Sequence, residues 1–237
     1  MKYKRILLKL SGESLMGESQ SGYEEKAIRK ILEEVKKAHV AGCEIAIVVG
    51  GGNICRGKML ASRGLDHTTG DYMGMLATVM NGLFLQDTFR SLGVDTRVMT
   101  ALQVNQVAEP FIRLKALKHL QRKRVVILVG GTGNPFCTTD TAAALRAREL
   151  SCDAIVKITK VDGIYDKDPN KYSDAVKLDE LTFNDVISKN IEVMDMTAFT
   201  MCRESNIPIV VTDVFTPDNI INIVNGCEEN QIGTIVK

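Results

Sequence analysis

The sequence predicts an α/β fold, a three-layer αβα sandwich in which helices cover both faces of a central, mostly parallel sheet. Strand-like apolar runs alternate with helical segments along the chain, which is typical of parallel sheets with helical connections. Runs such as 125–129 (VVILV) and 208–212 (PIVVT) lack polar alternation, as expected for strands buried on both faces. At 237 residues, either one α/β domain or two small ones is possible.

The first three elements illustrate this alternation. Residues 4–10 (KRILLKL) form an apolar run that predicts a strand, and residues 44–49 (EIAIVV) predict the next strand. Between them, residues 25–41 carry apolar residues at helical spacing, and Gly42 is placed just past the expected end of that helix. The apolar positions are Ile28, Ile31, Leu32, Val35 and Ala38.

The remaining elements continue the pattern. A long helix is expected over 72–92, with Asp71 as its N-cap and Gly93 just past its end. Its methionines are expected in the core, because methionine fills irregular gaps; these are Met73, Met75 and Met80. Residues 160–180 are the most polar stretch, which indicates an irregular excursion with a short hairpin. Further strands are expected at 95–100, 125–129, 153–158, 208–212 and 232–236, and further helices at 110–121, 140–150, 182–189, 195–205 and 216–225.

The composition argues against several functional classes. A net charge of +1, with 5% aromatic residues and no tryptophan, gives no reason to expect nucleic acid or a membrane as partner. The six cysteines form no C-x-x-C pair, which disfavours a zinc site and indicates reduced thiols in a cytoplasmic protein. Lys9 interrupts the first apolar run, so a signal peptide is not expected, and no run approaches the roughly 18 residues that span a bilayer.

Glycine-bearing turns follow three of the expected strands. They are Ser11-Gly12-Glu13, Gly50-Gly51-Gly52-Asn53 and Gly130-Gly131-Thr132-Gly133. Ligands of open parallel sheets bind beyond the carboxyl ends of the strands, so three such turns on one edge favour a polyanion. The third turn leads through Thr138, Thr139 and Asp140 into a helix, whose N-terminus attracts anions. The expected ligand is a phosphate.

Four charged residues near these turns are candidate site residues, and each has a simpler structural interpretation. Lys9 precedes the first turn, where its ammonium would meet a phosphate, although it is also one of several basic residues on that strand. Arg56 follows the triple glycine and suits phosphoryl oxygens, unless it is a free loop arginine. Asp71 and Asp140 are N-cap candidates, but Asp71 is also placed to accept hydrogen bonds from ribose and Asp140 to orient cationic groups.

Two nucleotide-binding motifs match only in part. Residues 52–59 fit G-x-x-x-x-G-K, but Met59 stands where a P-loop needs Ser or Thr to hold Mg²⁺. The Rossmann fingerprint fails because Cys55 and Phe136 stand where a third glycine belongs. Residues 159–169, rich in carboxylates, fit a solvated loop, a metal site or a base-binding loop equally well.

Several motifs taken together resemble bacterial UMP kinases, which have the amino-acid kinase fold. The resemblance spans essentially the whole chain, in order and at matching intervals. The motifs are KLSGE at 9–13, GGGN at 50–53 with Arg56-Gly57, GDYMGMLAT at 70–78, GTGNPF at 131–136 with Thr138-Thr139-Asp140, and TKVDG at 159–163.

This resemblance implies one domain over 1–237, with about 1–150 serving mainly the acceptor nucleotide and about 151–237 mainly ATP. It implies reversible phosphoryl transfer from ATP to UMP, giving UDP and ADP in pyrimidine nucleotide biosynthesis, with Mg²⁺ bound together with ATP. It further implies a cytoplasmic homohexamer that is inhibited by UTP and activated by GTP.

The resemblance also implies roles for individual residues, carried over by position. Catalytic roles fall to Lys9, Arg56 and Asp140. ATP contacts fall to Lys9, Leu10, Ser11, Gly12, Gly52, Arg56, Thr159, Tyr165 and Asp168. UMP contacts fall to Gly51, Asp71, Thr132, Gly133, Asn134, Pro135, Phe136, Cys137, Thr138 and Thr139. Two alternatives remain: another enzyme of this fold, acting on acetylglutamate, aspartate or carbamate, and a catalytically silent nucleotide sensor.

Overall fold

The protein consists of a central sheet covered by two layers of helices. The structure is a computed structural model, which describes residues 1–55, 64–169, 171–189, 191–213, 215–227 and 233–237. The described strands are β1 Arg5–Leu10, β2 Glu44–Val49, β3 Thr96–Thr100, β4 Glu109–Pro110, β5 Val125–Val129, β6 Ala154–Ile158, β7 Ile164–Tyr165, β8 Lys177–Leu178, β9 Glu180–Leu181, β10 Ile209–Thr212 and β11 Thr234–Val236. The described helices are α1 Glu13–Met16, α2 Glu25–Val40, α3 His67–Ser91, α4 Arg113–Gln121, α5 Thr139–Glu149, α6 Phe183–Ser188, α7 Met196–Glu204 and α8 Asn219–Asn225.

Nine strands form the main sheet in the order β4-β3-β5-β2-β1-β6-β10-β11-β9. Every neighbouring pair is parallel except β10 and β11, which are antiparallel. The first strand therefore lies in the middle, between β2 and β6. The mostly parallel sheet predicted from the apolar runs is confirmed. Strands β7 and β8 form a separate antiparallel hairpin, as expected for the polar stretch 160–180.

Alternation along β1 creates a core on each face of the sheet. Ile6 and Leu8 pack on one face in a core that also contains buried residues of α2, α3 and α8. Leu7 packs on the opposite face in a second core with α4, α5, α6 and α7. Because successive strand residues point to opposite faces, an all-apolar strand requires cover on both sides. The two cores confirm the three-layer sandwich.

Helix boundaries follow the expected signals at some ends but not at others. Helix α2 ends before Gly42, which has φ +103°, a conformation that favours glycine. Helix α3 begins at His67, and the Asp66 carboxylate accepts a hydrogen bond from Thr69 N at 3.0 Å. The prediction of Asp71 as N-cap is therefore wrong, because the helix runs through Gly70, where a loop was expected.

Helix α3 also corrects the expectation for its methionines. Met75 is buried, but Met73 and Met80 are 41% and 54% exposed. Residues 73 and 80 are seven positions apart and so lie on the same face of the helix, opposite the sheet. The core prediction is wrong for these two residues. Tyr72 and Leu76 are also largely exposed, and we call these four residues the outer face of α3.

No helix among the described residues is both long and apolar enough to cross a membrane. The six cysteines are free thiols, and Cys43, Cys152 and Cys202 are buried. Burial raises the pKa of each of these three thiols to about 12, so they are neutral side chains that pack like small apolar residues.

Candidate functional site

The three glycine turns lie side by side, because β5, β2 and β1 are neighbours in the sheet. The first two turns touch backbone to backbone. Gly50 N donates to Leu10 O at 2.9 Å, and a Cβ atom on Gly12 would clash with Gly52 N. Glycine at position 12 is therefore required for the close approach of the turns. The Leu10 side chain is fully buried in the core, so only the backbone of Leu10 faces the site.

A buried pair of amides fixes the second turn to helix α3. Asn53 Nδ2 donates to Asn81 Oδ1 at 3.0 Å, and Asn81 Nδ2 donates to Asn53 Oδ1 at 2.7 Å. Asn81 Nδ2 also donates to Gly50 O at 2.7 Å. Both side chains are almost completely buried and fully paired, and unpaired buried amides are costly. The pair therefore holds the turn in one position against the helix.

The third turn uses backbone conformations that favour glycine. Gly130, Gly131 and Gly133 have φ values of +75°, +58° and +84°. Gly130 N donates to Thr78 Oγ1 of α3 at 2.7 Å, so the same helix holds the second and third turns. We call the three turns together with α3 the glycine-turn side of the site.

A cluster of three charges, of which Lys9 is buried and Asp140 and Lys157 are largely buried, lies next to the turns. Lys9 Nζ of β1 is 2.7 Å from Asp140 Oδ1, and Lys157 Nζ of β6 is 2.9 Å from Asp140 Oδ2. Asp140 lies in the first turn of α5, where Thr138 is the N-cap; its possible role as cap is thereby excluded. One carboxylate thus holds two ammonium groups, which agrees with the expectation that Asp140 orients cationic groups.

Burial and charge act in opposite directions on this cluster. Burial raises the pKa of Asp140, but attraction from Lys9 and Lys157 outweighs burial and holds that pKa below its ordinary value. Burial lowers the pKa of Lys157; Asp140 opposes this shift, repulsion from Lys9 adds to it, and the result lies below the ordinary lysine value. Asp140 is therefore ionised at neutral pH. Lys157 loses its proton more easily than an exposed lysine does, because burial disfavours its charged form.

Lys157 is a site residue that sequence reasoning did not find. Its Nζ also donates to Val193 O at 2.5 Å. The available signal was a single lysine inside a strand that is otherwise apolar (AIVKI), which is unusual unless the charge is paired. Asp195 was also missed: it caps α7 through Ala198 N at 2.9 Å and accepts hydrogen bonds from Thr138 and Thr141 at the start of α5.

A cavity of about 380 Å³ opens on the glycine-turn side. Its lining includes five of the ten predicted UMP contacts: Gly51, Asp71, Cys137, Thr138 and Thr139. Gly52, predicted as an ATP contact, lines it as well. The rest of the lining was not named residue by residue as a nucleotide contact, although Gly131 belongs to the predicted third turn; these residues are Cys55, Gly70, Gly74, Met75, Thr78 and Gly131. The five other predicted UMP contacts do not line this cavity; they are Thr132, Gly133, Asn134, Pro135 and Phe136.

Asp71 connects helix α3 to the third turn. Its Oδ2 accepts a hydrogen bond from Phe136 N at 2.7 Å and lies 3.2 Å from His67 Nδ1. The ring of Phe136 stacks on His67 with centroids 5.0 Å apart, although Phe136 itself is 74% exposed. Both of these contacts use Oδ2, which leaves Oδ1 able to accept further hydrogen bonds in the cavity.

The other predicted ATP contacts lie beyond the end of β6. Thr159 N donates to Thr212 O at 2.9 Å, which joins this segment to the end of β10. Tyr165 OH, on β7, donates to Asp162 Oδ1 at 2.6 Å, and Asp168 follows in the loop, 3.5 Å from Lys171 Nζ. We call residues 159–168 with the β7–β8 hairpin the hairpin side. Arg56, predicted to be catalytic and to contact ATP, lies outside the described residues, as does the second half of the partial P-loop match, residues 56–59.

A second cavity, of about 450 Å³, lies against the charged cluster. It is lined by Asp140, Lys157 and residues 191–196. Asp195 therefore lies beside the charged cluster as well as at the N-termini of α5 and α7. No local pattern predicted this segment, because it joins the site through contacts with residues distant in the sequence, from Lys157 to Val193 O and from Thr138 and Thr141 to Asp195.

A family model described as the amino acid kinase family matches residues 4–213. The chain belongs to the amino acid kinase family. A member of this family, the uridylate kinase of Xanthomonas campestris pv. campestris, is 50% identical over 237 residues, covering 100% of this chain and 98% of that protein.

Two solved structures are also similar to this member of the amino acid kinase family. The UMP kinase from Bacillus anthracis has a TM-score of 0.94 at 38% identity and covers 99% of this chain and 96% of its own. The UMP kinase from Ureaplasma parvum has a TM-score of 0.91 at 34% identity, with 100% of both chains covered. The resemblance inferred from the sequence motifs is confirmed at the level of family and fold.

Proposed function

We propose that this protein is a UMP kinase, which transfers the terminal phosphoryl group of ATP to UMP in a reversible reaction that gives UDP and ADP. The observation that carries the proposal is the cluster of Lys9, Asp140 and Lys157, two ammonium groups held by one carboxylate beside three glycine turns. The 50% identity to a uridylate kinase over the whole chain supports UMP as the acceptor.

The chemistry of phosphoryl transfer requires positioning and charge stabilisation more than proton transfer. The UMP phosphate is already anionic near neutral pH, so it needs little help from a general base. The protein must instead hold two polyanions that repel each other and stabilise the charge that develops between them. In this proposal Lys9 stabilises the transferring group, Asp140 fixes the position of Lys9, and the N–H groups of the glycine turns bind phosphate oxygens.

The residues at the site suit a Mg²⁺ ion that is carried by the nucleotide. Among the described residues, no group of three or more His, Cys, Asp or Glu is arranged to hold a metal ion. Mg²⁺ commonly binds one or two carboxylates together with substrate phosphates, and Asp140 and Asp195 both line the cavity next to Lys157. When bound, the ion neutralises charge on the phosphates.

We assign the cavity on the glycine-turn side to UMP. Asp71 Oδ1 would accept a hydrogen bond from the ribose, and the start of α5 at Thr138 and Thr139 would receive the phosphate. Phe136 and its neighbours would act indirectly, because Phe136 N and its ring fix Asp71 and His67. We assign the hairpin side to ATP, with Tyr165 packing on the adenine. One domain then provides both sides, residues up to about 150 serving mainly UMP.

We further propose that the protein is a cytoplasmic homohexamer, with UTP inhibiting through the UMP cavity and GTP activating. The outer face of α3 supports self-association: Tyr72, Met73, Leu76 and Met80 are 41–54% exposed, and such apolar patches commonly mark interfaces. Light scattering of the purified protein measures its molar mass and hence its oligomeric state. A monomer at micromolar concentration would contradict the proposed hexamer.

One experiment tests the reaction itself. The purified protein is incubated with MgATP and, separately, with UMP, CMP, dCMP and AMP, and the ADP formed is quantified. We expect rapid turnover with UMP. Turnover with CMP or AMP but none with UMP would overturn the proposed acceptor. No turnover with any of them, combined with tight UTP binding, would indicate a nucleotide sensor.

A further inference from the structure

The β7–β8 hairpin is a short element whose position depends on contacts outside itself. Each strand has two residues, paired as Ile164 with Leu178 and Tyr165 with Lys177. A two-stranded hairpin is marginally stable at best by itself, and this one is far shorter than average. Its place at the edge of the site must therefore be set by the rest of the protein.

One buried hydroxyl contacts both strands of this hairpin. Thr234 lies in β11 of the main sheet and is fully buried. Its Oγ1 accepts a hydrogen bond from Ile164 N at 2.7 Å and donates one to Leu178 O at 2.5 Å. Since Ile164 and Leu178 face each other in the hairpin, a single side chain joins the main sheet to both strands at once.

Two glycines make this close approach possible. A Cβ atom on Gly163 would lie 2.8 Å from Thr234 Oγ1, closer than two such atoms can be. Gly233, just before Thr234, has φ +117°, and a Cβ there would clash with Val211 O of β10. The backbone on both sides of the hydroxyl is therefore shaped to bring Thr234 against the hairpin.

We infer that Thr234 is a positioning residue for the donor nucleotide, acting through the hairpin that carries Tyr165. This inference rests on the proposed function, in which Tyr165 packs on the adenine. The Tyr165 hydroxyl already donates to Asp162 Oδ1 at 2.6 Å, so the ring is fixed within the hairpin. The hydroxyl of Thr234 fixes the hairpin itself relative to β1 and β6, where the phosphates bind.

The test removes the hydroxyl while keeping the shape of the side chain. Thr234→Val leaves Ile164 N–H buried without its acceptor, whereas Thr234→Ser keeps the hydroxyl. We expect Thr234→Val to raise KM for ATP about tenfold, with KM for UMP within about twofold and Thr234→Ser close to wild type. Faster hydrogen exchange at the Ile164 amide should accompany the change in KM.

A matched control separates positioning from loss of stability. Thr96 is a buried threonine of β3, on the far half of the same sheet, and its hydroxyl donates to Val94 O at 3.2 Å. Thr96→Val is expected to lower thermal stability without changing KM for ATP. If Thr234→Val is too unstable to assay, Gly163→Ala tests the same contact, because its Cβ displaces the Thr234 hydroxyl, and the same selective rise in KM for ATP is expected.

The outcomes separate this inference from the proposed function. If the wild-type protein does not phosphorylate UMP, the proposed function fails. If the wild-type protein is active but Thr234→Val leaves KM for ATP unchanged, or raises both KM values equally, the positioning role of Thr234 is wrong. The role is also wrong if Thr234→Ser behaves like Thr234→Val.

Discussion

The two sides of the site are held in place by different kinds of contact. On the glycine-turn side, backbone touches backbone: Gly12 against Gly52, and Gly51 against Gly74 of α3. On the hairpin side, hydroxyl groups make the decisive contacts, from Tyr165 to Asp162 and from Thr234 to the hairpin. The glycine contacts of the first side leave no room for a Cβ atom, although the Asn53–Asn81 pair and the Thr78 hydroxyl also hold its turns. On the hairpin side, a hydroxyl joins the two-stranded element to the main sheet through separate hydrogen bonds.

This difference predicts different responses to mutation. A backbone contact cannot adjust without moving a strand end, so replacing Gly12 or Gly51 by a residue with a side chain should cost stability of the whole fold. A hydroxyl can be removed while the chain keeps its course, so changes on the hairpin side should cost affinity for one substrate. The charged cluster lies between the two sides and should affect the chemical step.

The largest effect is expected for Lys9→Ala. We expect kcat to fall about 10³-fold, because Lys9 stabilises charge that develops only in the transition state, with both KM values within about threefold. Steady-state kinetics measures this. Lys4→Ala, an exposed lysine near the start of the same strand, serves as the control and should retain wild-type kcat. A near-normal kcat for Lys9→Ala would remove this residue from the mechanism.

A smaller loss is expected for Asp140→Asn, which keeps the shape of the side chain and removes its charge. We expect kcat to fall about 100-fold, since Lys9 and Lys157 lose the carboxylate that holds them. Asp140 raises the pKa of Lys157, so removing its charge lowers that pKa further. The alkaline limb of the kcat profile should then move to lower pH; an unmoved limb would show that Lys157 does not need its proton.

The backbone contacts are tested by Gly51→Ala. Its Cβ would lie 2.6 Å from Gly74 O, so we expect the free energy of unfolding to fall by about 2 kcal/mol. Gly74→Ala is the matched control: among the described residues its Cβ meets no atom within 4 Å apart from nearby backbone of its own helix, and alanine favours a helix, so stability should rise by up to about 1 kcal/mol. Urea titration measures both. Equal stability of the two variants would show that the contact between Gly51 and Gly74 O does not restrict the glycine-turn side.

The smallest effect is expected for Asp71→Asn, which retains one acceptor oxygen and loses the charge. We expect KM for UMP to rise about fivefold and KM for ATP to stay unchanged, because Asp71 lines the cavity on the glycine-turn side, which we assign to UMP. Asp87→Asn, an exposed carboxylate later in the same helix, should change neither value. A change in KM for ATP would show that the assignment of Asp71 to UMP is wrong.

The sequence predicted those parts of the fold that rest on local signals. Apolar runs located the seven longer strands, and glycines located the three turns, because both depend on neighbouring residues alone. The start of α3 was missed because Gly70 favours a loop, yet the helix runs through this residue. The short strands β4 and β9 carry too few residues to produce a pattern.

Site residues could be predicted where they belong to a sequence motif. They could not be predicted where only the packing of distant elements brings them to the site. Lys9, Asp71 and Asp140 follow from their place beside the turns or from the motifs. The partner Lys157 lies 17 positions beyond Asp140 on another element, and Thr234 reaches the hairpin from the last strand. Such contacts exist only once the sheet has formed.

The central position of β1 has a consequence for how the chain folds. One edge of β1 pairs with β2 early in the sequence, but its other edge waits for β6, about 100 residues further on. At the usual rate of synthesis, about 5–20 residues per second, that edge stays open for roughly 5–20 s. An open apolar strand edge can pair with other chains. We therefore expect this protein to be most prone to aggregation during synthesis, before β6 has been made and has paired with β1.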